Sequence, residues 1–232
     1  MQLDTRANRA LSAWDLRHYW SLNYVYDLPI GPGKAVGGSL TGAAGKLLGG
    51  WSLSGVVTAS TGPPFSVTTG GDFVGALPQG LGSQRPDLVR KPTIAERGTP
   101  QYTNLYFDPF SFELPPLTPQ CVATPTATGC PRRVLGNAGR NILEGPGLAT
   151  WNFNLSKTTS LTERFGLQFR AEFFNLFNRA NFRLPGSFGG SGHPVFLPQT
   201  TNPNPPRNTA AGRITDVATT GRQIQFALKL LF

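Results

Sequence analysis

The segment that decides the fold is residues 222–232, RQIQFALKLLF. Ile224, Phe226, Leu228, Leu230 and Phe232 fall on one parity, while Gln223, Gln225, Ala227 and Lys229 fall on the other. Successive side chains of an extended strand point to opposite faces, so this pattern predicts a strand with one apolar and one polar face. Its length matches what a tilted strand needs to cross a bilayer, about 9–11 residues. The same alternation recurs upstream. From Leu16 the even positions read Leu16, His18, Trp20, Leu22, Tyr24, Tyr26 and Leu28, until Pro29 to Gly33 ends the run. From Trp51 the odd positions read Trp51, Leu53, Gly55, Val57 and Ala59, giving a second strand antiparallel to the first. Trp151, Phe153 and Leu155 begin a third run. After the short turn SLTERF a fourth follows at Phe165, Leu167, Phe169, Ala171 and Phe173, so the two read as a hairpin. A faint sixth strand is predicted at Arg213 to Ala218. The expected fold class is therefore all-β, with about six antiparallel strands forming part of a transmembrane β-barrel.

Between these runs the chain changes character. Residues 61–146 and 184–211 are rich in proline and glycine and contain segments such as RPDLVRKP and ELPPLTPQ, which cannot sustain a hydrogen-bonded ladder. So long a structureless connection is unusual in a compact soluble domain but ordinary for the extracellular loops of outer-membrane barrels. GPGKAVGGSLTGAAGK (31–46) lacks the ending of a phosphate-binding loop and reads as a flexible connection.

Composition agrees with a chain of strands and loops. Only 14% of residues are charged, against roughly 25% in an average soluble domain, while glycine numbers 28 and proline 21. The net charge of +9 raises nucleic-acid binding, but the 21 Lys and Arg are scattered almost singly, with Arg132 and Arg133 as the densest cluster. A deficit of acids explains the charge, and no nucleic-acid partner is expected. No window approaches the ~20 apolar residues of a membrane helix, and the first residues lack the apolar core of an export signal.

Candidate chemistry is sparse. Cys121 and Cys130 bracket CVATPTATGC and suggest one local disulfide in an oxidising compartment, with two unpaired loop thiols as the alternative. His18 and His193 lack the partners for a zinc site or a triad, and Glu163 and Glu172 read as a turn charge and a lumen-facing residue. No catalytic, cofactor or metal site is expected, and the chain is not expected to be an enzyme.

Aromatic placement bears on what the apolar faces meet. Trp20, Tyr24, Tyr26, Trp51, Trp151 and Phe165 lie along the apolar faces or towards strand ends, as in the girdles of membrane barrels. Aromatic residues also fill ordinary sheet cores, so the opposite faces matter more. Those carry Gln, Asn, Arg, Glu and Lys, which suit a watery lumen or an enclosed plug. In hydrocarbon every strand N–H and C=O must be paired, so six strands alone need further strands or further copies.

The stretch 136–182, GNAGRNILEGPGLATWNFNLSKTTSLTERFGLQFRAEFFNLFNRANF, resembles the final strands of TonB-dependent receptors, especially the large Oar-like kind. RAEFFNLFNRANF (170–182) is its most specific part. DLRHYWSLNYVYDLPIG (15–31) and AGRITDVATTGRQIQFALKLLF (211–232) resemble matching parts of that family, so the likeness covers most of the chain. It implies a bacterial outer-membrane location, uptake of a bulky nutrient, and partnership with outer-membrane lipid. It further implies the remaining barrel strands and plug of a full-length receptor, with TonB contacted only through an N-terminal part that this chain does not show. Ile224, Phe226, Leu228, Leu230 and Phe232 resemble the end signal read by the barrel assembly machinery. A cell-surface β-sandwich or adhesin-like binding module, and a non-functional gene fragment, are the alternatives.

Overall fold

Five long strands carry the structure, each where alternation marks one: β1 (Tyr19–Asp27), β2 (Trp51–Ser60), β3 (Leu148–Ser160), β4 (Gly166–Phe174) and β5 (Gln223–Leu231). The computed structural model describes residues 8–71, 84–117, 136–186, 193–197 and 204–232. The strands form a single antiparallel meander in the order β1-β2-β3-β4-β5. The register keeps like with like. Leu22, Val57, Trp151 and, one strand pair further, Phe153, Phe173 and Ile224 share a face, because Leu22 opposes Val57, Val57 opposes Trp151, Phe153 opposes Phe173 and Phe173 opposes Ile224. A slip of one residue would turn each of these rows to the opposite side. The 161–165 turn joins β3 to β4, with Leu161 and Thr162 N–H groups both donating to the Phe165 carbonyl.

The chain folds as two compact units. The sheet unit comprises His18–Ser60, Leu148–Asn181 and Thr219–Phe232. The connection unit comprises Met1–Arg17, Thr61–Gly147 and Phe182–Ala218, and all three of its stretches join the sheet at the end marked by Tyr19, Ser60, Leu148 and Phe174.

Several expectations need correction. Among the described residues the sheet has five long strands, not six: residues 213–218 contribute only the isolated bridge of Val217 to Phe182, after a turn at Gly212 with left-handed backbone (φ +76°). The connection predicted as flexible contains a short helix, α1 (Gly42–Leu48). Nor is 61–146 structureless. Two-residue strands pair Pro64–Phe65 with Leu143–Glu144, Asp87–Leu88 with Phe112–Glu113, and Val67–Thr68 in parallel with His193–Pro194. A four-residue helix, α2 (Gln101–Asn104), and a 3₁₀ turn over Pro109–Ser111 accompany them. These pieces enclose a core of Phe65, Val67, Tyr106, Phe107, Phe112, Leu143, Val195 and Phe196. Proline-rich backbone cannot supply long ladders, so side-chain packing and single hydrogen bonds take over. Arg207 illustrates the device: its guanidinium donates to the Pro109 and Phe112 carbonyls at 2.9 and 2.8 Å and stacks between Phe110 and Phe196, 4.8 and 5.0 Å from the ring centres.

Candidate membrane-spanning sheet

The site of interest is the sheet itself. Its apolar face runs across all five strands: Trp20, Leu22, Tyr24 and Tyr26 on β1; Trp51, Leu53, Val57 on β2; Trp151, Phe153, Leu155 on β3; Leu167, Phe169, Phe173 on β4; Ile224, Phe226, Leu228, Leu230 on β5. Most of the β1 and β5 members are exposed, as is Phe232 beyond β5. Phe169 and Phe226 stack at 6.2 Å, and Phe153 meets Phe173 at 5.9 Å. Strands of 9–13 residues have the reach to cross a hydrocarbon layer.

The other face is mixed, with polar side chains predominating and Tyr19, Val25, Val56 and Phe174 exposed among them. Ser54 accepts from the Asn154 amide at 3.0 Å, Thr158 from Gln168 at 3.4 Å, and Arg170 pairs with Glu172 at 2.9 Å, while Gln225 donates to the same carboxylate from β5. A depression of about 330 Å³ opens here, its wall mostly apolar, with Val25, Val56 and Phe174 beside Asn23, Asn152 and Glu172. Glu172 therefore stands on the polar face as expected, and Glu163 in the 161–165 turn. Opposite polarity on the two faces suits a wall between hydrocarbon and water.

The motif RAEFFNLFNRANF turns out to be a clamp built from three asparagines just beyond β4. Asn175 and Asn178 take left-handed backbone (φ +50° and +51°), which asparagine tolerates better than most residues. The buried Asn175 amide donates to the Arg179 and Thr220 carbonyls at 3.0 and 3.1 Å, and its backbone N–H donates to the Asn152 side chain at 3.0 Å. Asn178 accepts from the Arg222 N–H at 3.0 Å. Asn181, fully buried, accepts from the Ala149 N–H at 2.9 Å and donates to the Ala149 carbonyl and to Thr219 Oγ1, both at 3.0 Å. Together they fasten the start of β3, the end of β4 and the approach to β5. Spacing alone gave no indication of these roles, because apart from Arg179 the partners lie more than 20 residues away in the chain.

Sequence reasoning also passed over Lys157. It continues the parity of Trp151, Phe153 and Leu155, so it stands on the apolar face, opposite Trp51 and Phe169. Its ammonium donates to the carbonyls of Lys46, at 2.8 Å, and of Gly49, and lies 5.0 Å from the Trp51 ring centre. The break in alternation at position 157 was the available signal.

Of the remaining expected residues, Cys121 and Cys130 lie outside the described residues. His18 precedes β1 and is exposed. His193 is buried in the connection unit, its ring edge-on to Phe65 at 4.4 Å and its Nδ1 bonded to the Pro185 carbonyl. Burial pulls its pKa below the usual 6.5 against the opposing pull of that carbonyl. The Tyr106 phenol, which donates to the Glu144 carbonyl at 2.8 Å, is pushed well above its ordinary value by burial and by the nearby Tyr102 and Glu144. Among the described residues no cluster of His, Cys, Asp and Glu is placed to hold a metal ion, and no helix is long and apolar enough to cross a membrane.

The profile of the family described as "Outer membrane beta barrel domain" matches residues 2–225, nearly the whole chain. The chain belongs to the outer membrane β-barrel domain family. Membership places it in the bacterial outer membrane and accounts for a sheet with one apolar and one polar face. No curated protein and no solved structure matches this member of the family. Its sheet is open: among the described residues, neither the outer edge of β1 nor that of β5 has a ladder partner.

Proposed function

We propose that this chain forms one wall of a larger barrel, a TonB-dependent transporter or receptor that takes up a bulky nutrient across the outer membrane. The observation that carries the reading is a two-faced sheet with two unpaired edges. Spanning barrels begin at about eight strands, and an open edge in hydrocarbon leaves N–H and C=O groups without partners. Five strands therefore require more. In this reading the apolar face meets lipid, the opposite face with its depression lines the lumen, and the end of the sheet at Ser60 and Leu148, where the long connection 61–147 leaves and returns, faces the outside, where such barrels keep their long loops. The likeness of 136–182 to the final strands of TonB-dependent receptors supports the transport assignment over a channel. Its partners are then lipid, the remaining strands and plug, the barrel assembly machinery, and TonB acting through the plug-bearing part.

The test begins with fractionation of the chain behind an export signal and gel mobility with and without heating. Heat-modifiable migration in the outer-membrane fraction would show closure of these strands with themselves in several copies, contrary to the single-wall reading. The assembled full-length product is then compared in cells with and without TonB, for growth on nutrients too large to diffuse through open channels. Growth that is equal in both backgrounds would rule out the transport assignment.

A further inference from the structure

The β1–β2 connection has a position that its sequence did not reveal. Trp51 and Lys157 stand side by side on the apolar face, and both grip the last turn of α1: the Trp51 indole N–H donates to the Leu47 carbonyl at 3.2 Å, and Lys157 donates to the Lys46 and Gly49 carbonyls. Lysine on the end carbonyls of a helix satisfies groups that have no partner within it. Because the two gripping side chains point outward from the apolar face, α1 is held on that side of the sheet, at the end opposite Ser60 and Leu148. There it presents Leu47 and Leu48, 68% and 46% exposed, with Val36 of the same connection 56% exposed. From Leu28 to Gly50 the chain carries Lys34 and Lys46 and no acidic residue.

We propose that residues 34–48 form an interfacial anchor that seats on anionic phospholipid headgroups, Leu47 and Leu48 entering the acyl boundary and Lys34 and Lys46 facing the phosphates. Apolar side chains beside cations, and no acids, are the composition that binds an anionic lipid surface. A helix as short as α1 would not hold this shape unaided. The Trp51 and Lys157 staples supply the rigidity, and Lys157 itself snorkels from the apolar face to the interface while its charge is spread over two carbonyls and an aromatic ring. The anchor rests on the reading of the apolar face as lipid-facing.

The experiment uses this chain within the assembled full-length barrel, with Cys121→Ser and Cys130→Ser, reconstituted into vesicles of phosphatidylcholine and phosphatidylglycerol. A polarity-sensitive dye is attached at Leu47→Cys, at Leu228→Cys on the apolar face, or at Lys91→Cys in the connection unit. Brominated phospholipid is expected to quench the dye at 47 and 228 and spare that at 91, with quenching at 47 growing as the phosphatidylglycerol share rises and falling in Lys34→Glu/Lys46→Glu. Quenching at 228 without quenching at 47 would overturn the anchor and leave the lipid-facing sheet standing. No quenching at either would overturn both. Quenching at 47 that ignores the charge reversal would overturn the headgroup assignment.

Discussion

Trp151 of β3 donates its indole N–H to the phenol oxygen of Tyr24 of β1 at 2.9 Å, reaching across the intervening strand β2. The bond is diagonal: in register Gly55 lies opposite Tyr24 and Phe153, and Trp151 lies opposite Val57. A Cβ at Gly55 would stand 2.5 Å from the Tyr24 oxygen and 2.5 Å from the Asn152 carbonyl, so only glycine leaves room for the aromatic bridge. Phe177 closes against the Trp151 ring at 5.3 Å.

Removing the acceptor with Tyr24→Phe is expected to cost about 1 kcal/mol, the usual net worth of one hydrogen bond. Gly55→Ala should cost more, about 1–3 kcal/mol, through overpacking. Urea unfolding of the membrane-assembled protein, followed by tryptophan emission, would rank the two. Equal stability of Gly55→Ala and the parent would mean that the bridge is not made in the membrane.

Asn181 serves both backbone groups of Ala149 at once. Asn181→Leu keeps the volume but leaves buried polar groups unmatched, at about 1–3 kcal/mol for each orphaned group. The expected signature is local: faster amide exchange at the start of β3 and along the approach to β5, with the 161–165 turn unchanged. Uniform loosening of all five strands would argue against a clamp.

The two faces should respond oppositely to charge. Leu228→Arg puts a cation on the apolar face and is expected to destabilise the assembled protein by about 2–4 kcal/mol if that position is near the bilayer midplane. Gln225→Arg, three residues earlier on the polar face, should be close to neutral, since it gains a neighbour in Glu172. Comparable losses from both would refute the facing assigned to the sheet.

His193 links the connection unit to acidity. With its folded pKa depressed by burial, the unfolded chain binds the proton more readily. The stability this group confers is therefore present above about pH 6.5 and is lost as pH falls below it. Proteolysis of the connection unit should accelerate between neutral and mildly acidic pH, and His193→Phe should flatten that dependence.

The β5 residues Ile224, Phe226, Leu228, Leu230 and the following Phe232 form an exposed apolar row, Phe232 being 98% exposed. Phe226→Ala with Phe232→Ala is expected to lower outer-membrane levels of the assembled protein. Unchanged levels would count against an assembly signal at this end.

What the sequence disclosed follows from how each part is stabilised. The five strands bury or expose whole faces, so their side chains must alternate, and residues such as Phe169 and Leu228 announce themselves by parity. The connection unit has no such constraint. Phe107, Phe112 and Val195 are fully buried yet come from stretches with no period, joined by two-residue pairings that leave no local trace. The asparagine clamp was visible as a family motif but not as a function, because all its partners but Arg179 lie at positions 149, 152 and 219–222. GAAGKLL is too short and too glycine-rich to signal a helix, and α1 exists because Trp51 and Lys157 hold it.

The five-residue turn at 161–165 also sets a timetable. β3 and β4 are neighbours in sequence as well as in space, so their hairpin needs only a small loop to close, a microsecond event. β2 must find β3 across the whole of 61–147, and β5 must find β4 across 175–222. Closing long loops costs entropy before any pairing repays it. The hairpin is thus the template on which β2 and β5 arrive from either side, and the asparagines at 175, 178 and 181 shorten the search for β5 by holding its approach beside the finished hairpin.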